Sequence, residues 1–209
     1  MDQLVYHAVA TGNLGQVLEL VAEKNSWSWT PHDEKVETQR LGDVVDLGKG
    51  HGPNETTLLH VCSAKSHVRT AKVLLDMLAG STDAATRRRI VNRRECSKIG
   101  GYTPLHLACL SKCTTAADMA ELLIQYGADP DVKDANCSFT ALHLAVRSHA
   151  FEVARVLVRA GADLLARDKF GNNPAFWLKE LYPDATTPIR YVFMSTRGAL
   201  MSNLHRYKP

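Results

Sequence analysis

Three histidines in matching sequence contexts are the first candidates for chemistry. His60, His106 and His143 each end a four-residue motif that begins with threonine: Thr57–His60, Thr103–His106 and Thr140–His143. Imidazole is a common metal ligand and general base. Because the three histidines occupy equivalent positions in successive units, we expect them to lie one unit apart and to point the same way. A structural role is therefore favoured over a shared catalytic or metal site.

Two cysteines near one of these histidines raise the question of zinc. Cys109 and Cys113 follow His106 by three and seven residues, but the sequence contains no Cys-x-x-Cys pair. Structural zinc requires four convergent ligands, and free cysteine also serves as a small buried apolar residue. There is also no glycine-rich phosphate loop and no Gly-x-Ser-x-Gly motif. The sequence therefore predicts no metal, no cofactor and no catalytic residue.

The motif around His106 has the features of a helix start. Thr103 can cap a helix by accepting a hydrogen bond from a free amide of the first turn. Pro104 then takes the first helical position, where its missing N–H is tolerated. Leu105 and Ala108 share one helical face, and the small alanine allows a second helix to approach. The motif thus predicts a short helix that packs closely.

A second helix is predicted after each motif, and a glycine marks its end. Apolar residues resume at helical spacing around Leu122 and Leu123, and again around Val156 and Leu157. The segments Gly127–Asp129 and Gly161–Asp163 follow. Glycine at this position adopts the left-handed conformation that closes a helix. One unit therefore consists of a helix, a turn, a second helix and an extended loop.

The motif recurs at a spacing that resembles a known repeat family. The threonines at positions 57, 103 and 140, and a weaker echo at Asn173–Phe176, are separated by 46, 37 and 33 residues. A base period of 33 with insertions explains these intervals. This period and the Thr-Pro-Leu-His-x-Ala pattern resemble the ankyrin repeat. The resemblance implies an all-α solenoid of about five helix-turn-helix repeats with hairpin loops and degenerate terminal caps.

We expect one ankyrin-repeat domain over residues 1–209. Its repeats are predicted at about 1–24, 52–80, 91–126, 127–160 and 161–185, with insertions at 25–51 and 81–90 and a C-terminal capping helix at about 186–205. The first insertion contains Trp27 and Trp29, which either anchor a partner or shield the first repeats. Shielding is the favoured interpretation.

The second insertion leads into a cluster of five arginines: Arg87, Arg88, Arg89, Arg93 and Arg94. Arginine binds phosphate and carboxylate groups in a bidentate manner, so the cluster could bind an anion or serve as a nuclear-import signal. The alternative is a solvated loop whose charges contribute little by themselves. We favour the solvated loop.

Composition excludes several other classes of protein. Lys and Arg total 25 against 22 for Asp and Glu, so the formal charge of +3 does not call for nucleic acid or an anionic membrane. The sequence has no apolar run of membrane-spanning length and does not begin with the pattern of a secretory signal. Its five cysteines fit reduced thiols. We therefore expect an intracellular protein, cytoplasmic with nuclear entry as an alternative.

The resemblance implies that a partner binds to the hairpin tips and to the inner-helix face. Carried over by position, the predicted contact residues are Lys65, Tyr102, Leu110, Ser111, Asn136, Phe139, Arg147, Ser148, Lys169 and Phe170. Arginine and aromatic residues are enriched in binding hot spots. For Tyr102 and Phe139 an equal alternative is that each ring packs against its own loop.

The predicted function is that of a non-enzymatic adaptor or scaffold, monomeric by itself, which binds another protein or a peptide segment. One alternative is binding of nucleic acid or another anionic ligand through the arginine cluster. A second alternative is a regulatory subunit that recruits substrates to an enzyme complex. Nucleic acid is the less favoured partner.

Overall fold

The computed structural model describes residues 2–24, 56–96 and 100–181, and the ten regular elements in these ranges are all α-helices. They are α1 (Asp2–Thr11), α2 (Leu14–Lys24), α3 (Leu58–Lys65), α4 (Val68–Ser81), α5 (Ala84–Val91), α6 (Pro104–Leu110), α7 (Ala116–Gln125), α8 (Ala141–Arg147), α9 (Phe151–Arg159) and α10 (Pro174–Leu181). The predicted all-α class is confirmed. No helix in these ranges is both long and apolar enough to cross a membrane.

The helices stack in two rows. Helices α1, α3, α6, α8 and α10 form an inner row in which each contacts the next. Helices α4, α7 and α9 form an outer row, and each packs against the inner helix that precedes it in the chain. Each pair covers the apolar face of its neighbour, as expected for a repeat solenoid.

The sequence motif begins the inner helices in the predicted way. Thr57, Thr103 and Thr140 are N-cap residues with extended backbone conformation, and each forms a capping box with the histidine three residues later. Pro104 occupies the first turn of α6. Because these bonds satisfy free amides at the helix start, each short helix has a fixed starting residue.

The core is continuous between the two rows. Ala108 and Ala145 on inner helices are fully buried, and so are the outer-helix residues Leu75, Leu123 and Leu157. Small residues on the inner helices allow close approach, and the outer leucines fill the space between them. Burial of one leucine side chain stabilises a fold by about 1.5–3 kcal/mol relative to exposure. The stack is therefore held mainly by apolar packing between repeats.

Glycines end two of the outer helices in the conformation predicted from the sequence. Gly127 has φ 98° and Gly161 has φ 90°. The amide of the following alanine bonds back to the helix in both cases, from Ala128 to Leu123 and from Ala162 to Leu157. These bonds close the exposed carbonyl groups of the last turn.

The predicted solvated loop at the second insertion is wrong, because most of that segment is helix α5. The Asp83 carboxylate caps this helix and accepts hydrogen bonds from the amides of Ala85 and Thr86 at 3.0 and 3.1 Å. Alanine and arginine, which fill the segment, have high helix propensity. The first three arginines of the cluster, Arg87, Arg88 and Arg89, therefore project from a helix.

Several sequence predictions fall outside the described residues. These are the first insertion at 25–51 with Trp27 and Trp29, and the capping helix at about 186–205. The division of the chain into a single domain with five repeats stays a prediction.

Candidate functional site

The three motif histidines connect neighbouring repeats through hydrogen bonds. In each ring, Nδ1 accepts a bond from the backbone N–H of the motif threonine, at 3.1 Å for His60 and His106 and 3.2 Å for His143. The other ring nitrogen, Nε2, lies 3.0–3.2 Å from a carbonyl oxygen of the next hairpin loop, at Tyr102, Phe139 and Asn172 respectively. Each histidine thus joins its own helix to the following repeat. The predicted structural role is confirmed by these bonds.

The cysteines near His106 have separate environments. Cys109 is fully buried on α6, and burial raises the pKa of its thiol. Cys113 is exposed, and its Sγ lies 3.7 Å from the backbone oxygen of Lys65. Within the described ranges no group of three His, Cys, Asp or Glu side chains could hold a metal ion. Cys109 therefore acts as a core residue.

Two buried aspartates shape the hairpin loops. Asp134 Oδ1 accepts hydrogen bonds from two amides of its own loop at 2.8 and 3.0 Å, and Asp168 Oδ1 accepts two at 2.8 and 2.9 Å.

The last described loop holds Phe170 with 63% of its surface exposed. Beside it, Lys169 Nζ lies 5.1 Å from the centroid of the Phe170 ring and donates to the backbone oxygen of Asn136 at 2.9 Å. Asn136, Lys169 and Phe170 are exposed and form what we call the hairpin tips.

A second set of bonds joins the repeats at the ends of the outer helices. Asn92 Nδ2 donates to the carbonyl of Gly127 at 2.9 Å, and its Oδ1 accepts from the amide of Asp129 at 2.7 Å. In the next repeat, Asp131 Oδ1 accepts from the amide of Asp163 at 2.8 Å. Asn92 directly follows α5. The hydrogen bonds between successive repeats therefore resume at the first residue after α5.

Phe139 is predicted as a contact residue, and this prediction is wrong because only 3% of its surface is exposed. Its ring packs edge-on against Trp177, with the centroids 6.1 Å apart. Tyr102 is half-buried, and its ring centroid lies 6.0 Å from that of His106. Phe139 is thus a packing residue, but its ring contacts Trp177 of α10 and not only its own loop as the alternative proposed, whereas Tyr102 keeps part of its ring at the surface.

The predicted contact residues on the inner helices divide into two groups. Ser111 and Ser148 are half-buried and link neighbouring repeats: Ser111 Oγ lies 2.9 Å from Ser66 Oγ, and Ser148 Oγ donates to the carbonyl of Cys109 at 2.6 Å. The other side chains are exposed, and together with the half-buried Trp177 they form what we call the inner-helix surface: Lys65, Leu110, Arg147 and Trp177. The two serines therefore serve mainly to align the repeats.

Trp177 is the residue of this surface that the sequence prediction missed. Its indole Nε1–H donates to Asp168 Oδ2 at 2.8 Å, which fixes the ring at the base of the last described hairpin loop. The guanidinium carbon of Arg147 lies 5.0 Å from the Trp177 ring and 4.7 Å from the centroid of Phe139. The sequence did contain a signal for Trp177: in the last repeat, the aromatic residues Phe176 and Trp177 replace the histidine and the leucine that follow the motif threonine in the earlier repeats.

The arginine cluster is divided between α5 and the segment that follows it. Arg88 Nη2 lies 3.7 Å from the carboxylate of Asp129. A groove of about 400 Å³ separates α5 from the end of α7, and its lining includes Arg87, Arg88, Tyr126 and Asp129. Because Asp129 faces the same groove, the positive charge there is partly neutralised. Of the predicted residues, the hairpin tips thus contain Asn136, Lys169 and Phe170, the inner-helix surface contains Lys65, Leu110 and Arg147, and the groove beside α5 is lined by Arg87 and Arg88.

The chain is similar to parts of several known proteins. The chain is 34% identical over 85 residues to the probable 26S proteasome regulatory subunit p28 of Saccharomyces cerevisiae, covering 40% of this chain and 36% of that protein. It is 35% identical over 85 residues to human cyclin-dependent kinase inhibitor 2A, covering 40% of this chain and 54% of the inhibitor. It is 27% identical over 143 residues to bovine NF-kappa-B inhibitor zeta, covering 56% of this chain and 19% of that protein.

In each of these relatives the match covers less than two thirds of that protein's length. The family model for ankyrin repeats (3 copies) matches residues 4–134 and 95–168. These two segments overlap and together span most of the 209 residues. The match covers the capped inner helices α3, α6 and α8, the hydrogen bonds of His60 and His106 to the next repeat, and the glycine-closed outer helices. The chain belongs to the ankyrin-repeat family.

Proposed function

We propose that the chain is an adaptor or scaffold that binds another protein through the hairpin tips and the inner-helix surface. Ankyrin repeats are non-catalytic modules that mediate protein–protein interaction. The observation that carries the proposal is the exposure of large apolar side chains at these places. Phe170 is 63% exposed next to Lys169, and Leu110 is 37% exposed at the end of α6, which packs against the helix that carries Arg147. An exposed aromatic next to cationic groups is typical of a binding surface.

Changes at this surface are expected to reduce partner binding without affecting folding. The double variant Leu110→Ser, Phe170→Ala removes two exposed apolar groups and no described hydrogen bond of a side chain. Leu165→Ser is the matched control, because Leu165 is 43% exposed and lies in the loop after α9.

The experiment is affinity capture from a cell extract, followed by measurement of Kd with each purified partner. We expect the double variant to lose the captured partner and Leu165→Ser to keep it, with equal thermal melts. Equal capture by wild type, double variant and control would contradict the proposed surface.

A second candidate function is binding of nucleic acid or another anion through Arg87, Arg88, Arg89, Arg93 and Arg94. The groove beside α5 favours it, because Arg87 and Arg88 both line that groove. Phosphate contacts give an affinity that falls steeply with salt concentration. Replacement of all five arginines by serine should abolish such binding and leave adaptor binding unchanged.

A third candidate, that of a regulatory or substrate-recruiting subunit of an enzyme complex, has support from relatives named as a regulatory subunit and as inhibitors. Identification of an enzyme among the captured partners would favour it. An intracellular location, cytoplasmic or nuclear, is part of each of these proposals.

A further inference from the structure

We propose that Arg147 binds a carboxylate side chain of an acidic peptide segment on the inner-helix surface. This inference rests on the proposed function and adds the chemistry of the partner to it.

The Arg147 guanidinium packs against two aromatic rings that also contact each other edge-on. Its guanidinium carbon is 4.7 Å from the centroid of Phe139 and 5.0 Å from the ring of Trp177. Neither ring is free to move: Phe139 is buried, and the Trp177 indole is bonded to the carboxylate of Asp168. Contact with aromatic faces orients a guanidinium without using its N–H groups.

The N–H groups of Arg147 are available for a ligand. Arg147 is exposed, and in the described part of the chain no carboxylate lies within ion-pair distance of it and no oxygen accepts its hydrogen bonds. A guanidinium presents five donors in a planar fork that matches a carboxylate in bidentate geometry. Because the two rings hold the fork in place, less side-chain entropy is lost when it binds.

The three inner helices α3, α6 and α8, with their motifs and turns, have positive charge and no acidic residue. Residues 57–67, 103–115 and 140–150 contain the motifs, the inner helices and the turns that follow them. Their charged residues are Lys65, Lys112 and Arg147, all of them exposed cations. In the other two inner helices, acidic residues occur at Asp2 of α1 and at Glu180 of α10. Complementary charge across an interface steers association and selects partners, so this row favours an acidic segment.

The buried carboxylates at the base of the hairpin loops do not take the place of the ligand. Asp134 and Asp168 accept backbone amide bonds within their own loops, and Asp168 also accepts the Trp177 indole. The spacing of the three cations over successive repeats favours a peptide with several carboxylates over a small anion. A peptide can lie along the row and contact one repeat after another.

The test is an NMR titration of the isotope-labelled chain with octaglutamate, at about 50 mM salt so that charge interactions are only partly screened. We expect shifts of the Arg147 Nε–H and Trp177 Nε1–H signals, and none with octalysine. The Trp177 signal is assigned from a Trp177→Phe variant. Absence of these shifts with octaglutamate would overturn the inference.

Three variants locate the binding. Arg147→Gln should weaken octaglutamate binding about fivefold, the size expected for one bidentate pair at a surface. Arg147→Lys keeps the charge but loses the planar fork, so its effect should lie between wild type and Arg147→Gln. Arg159→Gln makes the same charge change on the exposed end of α9 and should alter binding less than about twofold. Equal effects of Arg147→Gln and Arg159→Gln would show diffuse charge attraction and overturn the proposal.

Inorganic phosphate and the capture experiment separate the remaining outcomes. If inorganic phosphate moves the Arg147 signal as strongly as octaglutamate, the ligand is a small anion and the peptide proposal is wrong. If octaglutamate does not bind while Leu110→Ser, Phe170→Ala still loses a captured partner, this inference fails and the proposed function stands.

Discussion

The imidazole of His106 connects two repeats, because its Nε2 lies 3.2 Å from the carbonyl oxygen of Phe139. Its Nδ1 lies 3.1 Å from the backbone nitrogen of Thr103. A backbone amide can only donate and a carbonyl can only accept, so the ring is neutral with its proton on Nε2. Protonation of Nδ1 would break the bond to Thr103. The contact between these repeats therefore depends on pH.

The free energy of unfolding should fall between pH 6.5 and pH 4. Burial lowers the pKa of both His60 and His106 from 6.5 to about 4. In this window the unfolded chain binds protons that the folded chain does not, so acid favours unfolding. For each of the two histidines we expect a loss of about 2 kcal/mol from pH 7 to pH 5. Urea unfolding at pH 7, 6 and 5 measures it.

The free energy of unfolding of the variant His106→Gln should depend less on pH than that of the wild type, and it should be lower at pH 7. His7→Gln is the control, because His7 is exposed on α1. It should keep the wild-type pH dependence. If His106→Gln has the same slope against pH as the wild type, the protonation argument is wrong.

Thr140→Ala should lower stability by about 1 kcal/mol because it removes a helix cap. Thr140 is fully buried, and its Oγ1 lies 2.8 Å from His143 Nδ1. Thr140→Ser keeps the hydroxyl and should retain most of the stability. Thermal and urea unfolding of the two variants provide the comparison. Equal stabilities would mean that the hydroxyl does not stabilise α8.

Gly161→Val should destabilise the chain by about 1 kcal/mol or more, since a β-branched residue adopts positive φ at high energy. No atom lies within 4 Å of an added Cβ at this position, so the effect comes from backbone conformation and not from a clash. Asparagine tolerates the left-handed region better, and Gly161→Asn should therefore be less harmful. Urea unfolding measures whether Gly161→Asn is more stable than Gly161→Val. Equal stability of the two variants would contradict the prediction.

Cys62 and Cys109 should react with thiol reagents only after unfolding. Both are fully buried, and burial raises the pKa of the Cys62 thiol to about 12. The thiolate is the reactive form, so both access and ionisation limit the reaction. Cys113 is exposed and should react in the folded chain. Mass spectrometry of peptides labelled in native buffer and in urea measures this, with Cys113→Ser as a control. Native labelling of Cys109 at the rate of Cys113 would contradict the packing of α6.

Local sequence patterns predicted the parts of the fold that depend on contacts within one repeat. Thr103 and Pro104 start a helix by bonds within four residues, and Gly161 ends one through its own backbone conformation. These rules hold wherever the residues occur, so spacing along the chain was enough.

The second insertion shows where a sequence pattern misled. The run of arginines suggested a solvated loop, but Asp83 and the alanines after it carry a helix-start signal of the same strength as the motif threonines. The charge of the arginines predicts that their side chains are exposed, but it does not predict the conformation of their backbone. Helix propensity and the cap decide the conformation of α5.

The sequence by itself determined the repeat, its caps and the role of the histidines, because these depend on bonds between residues close in the chain or on a regular period. The tertiary structure decided that Phe139 is buried and that Arg147 packs against both Phe139 and Trp177. Trp177 reaches these residues only after one repeat has stacked on the next. Contacts between side chains of different repeats depend on the distance and rotation between repeats, which spacing along the chain does not specify.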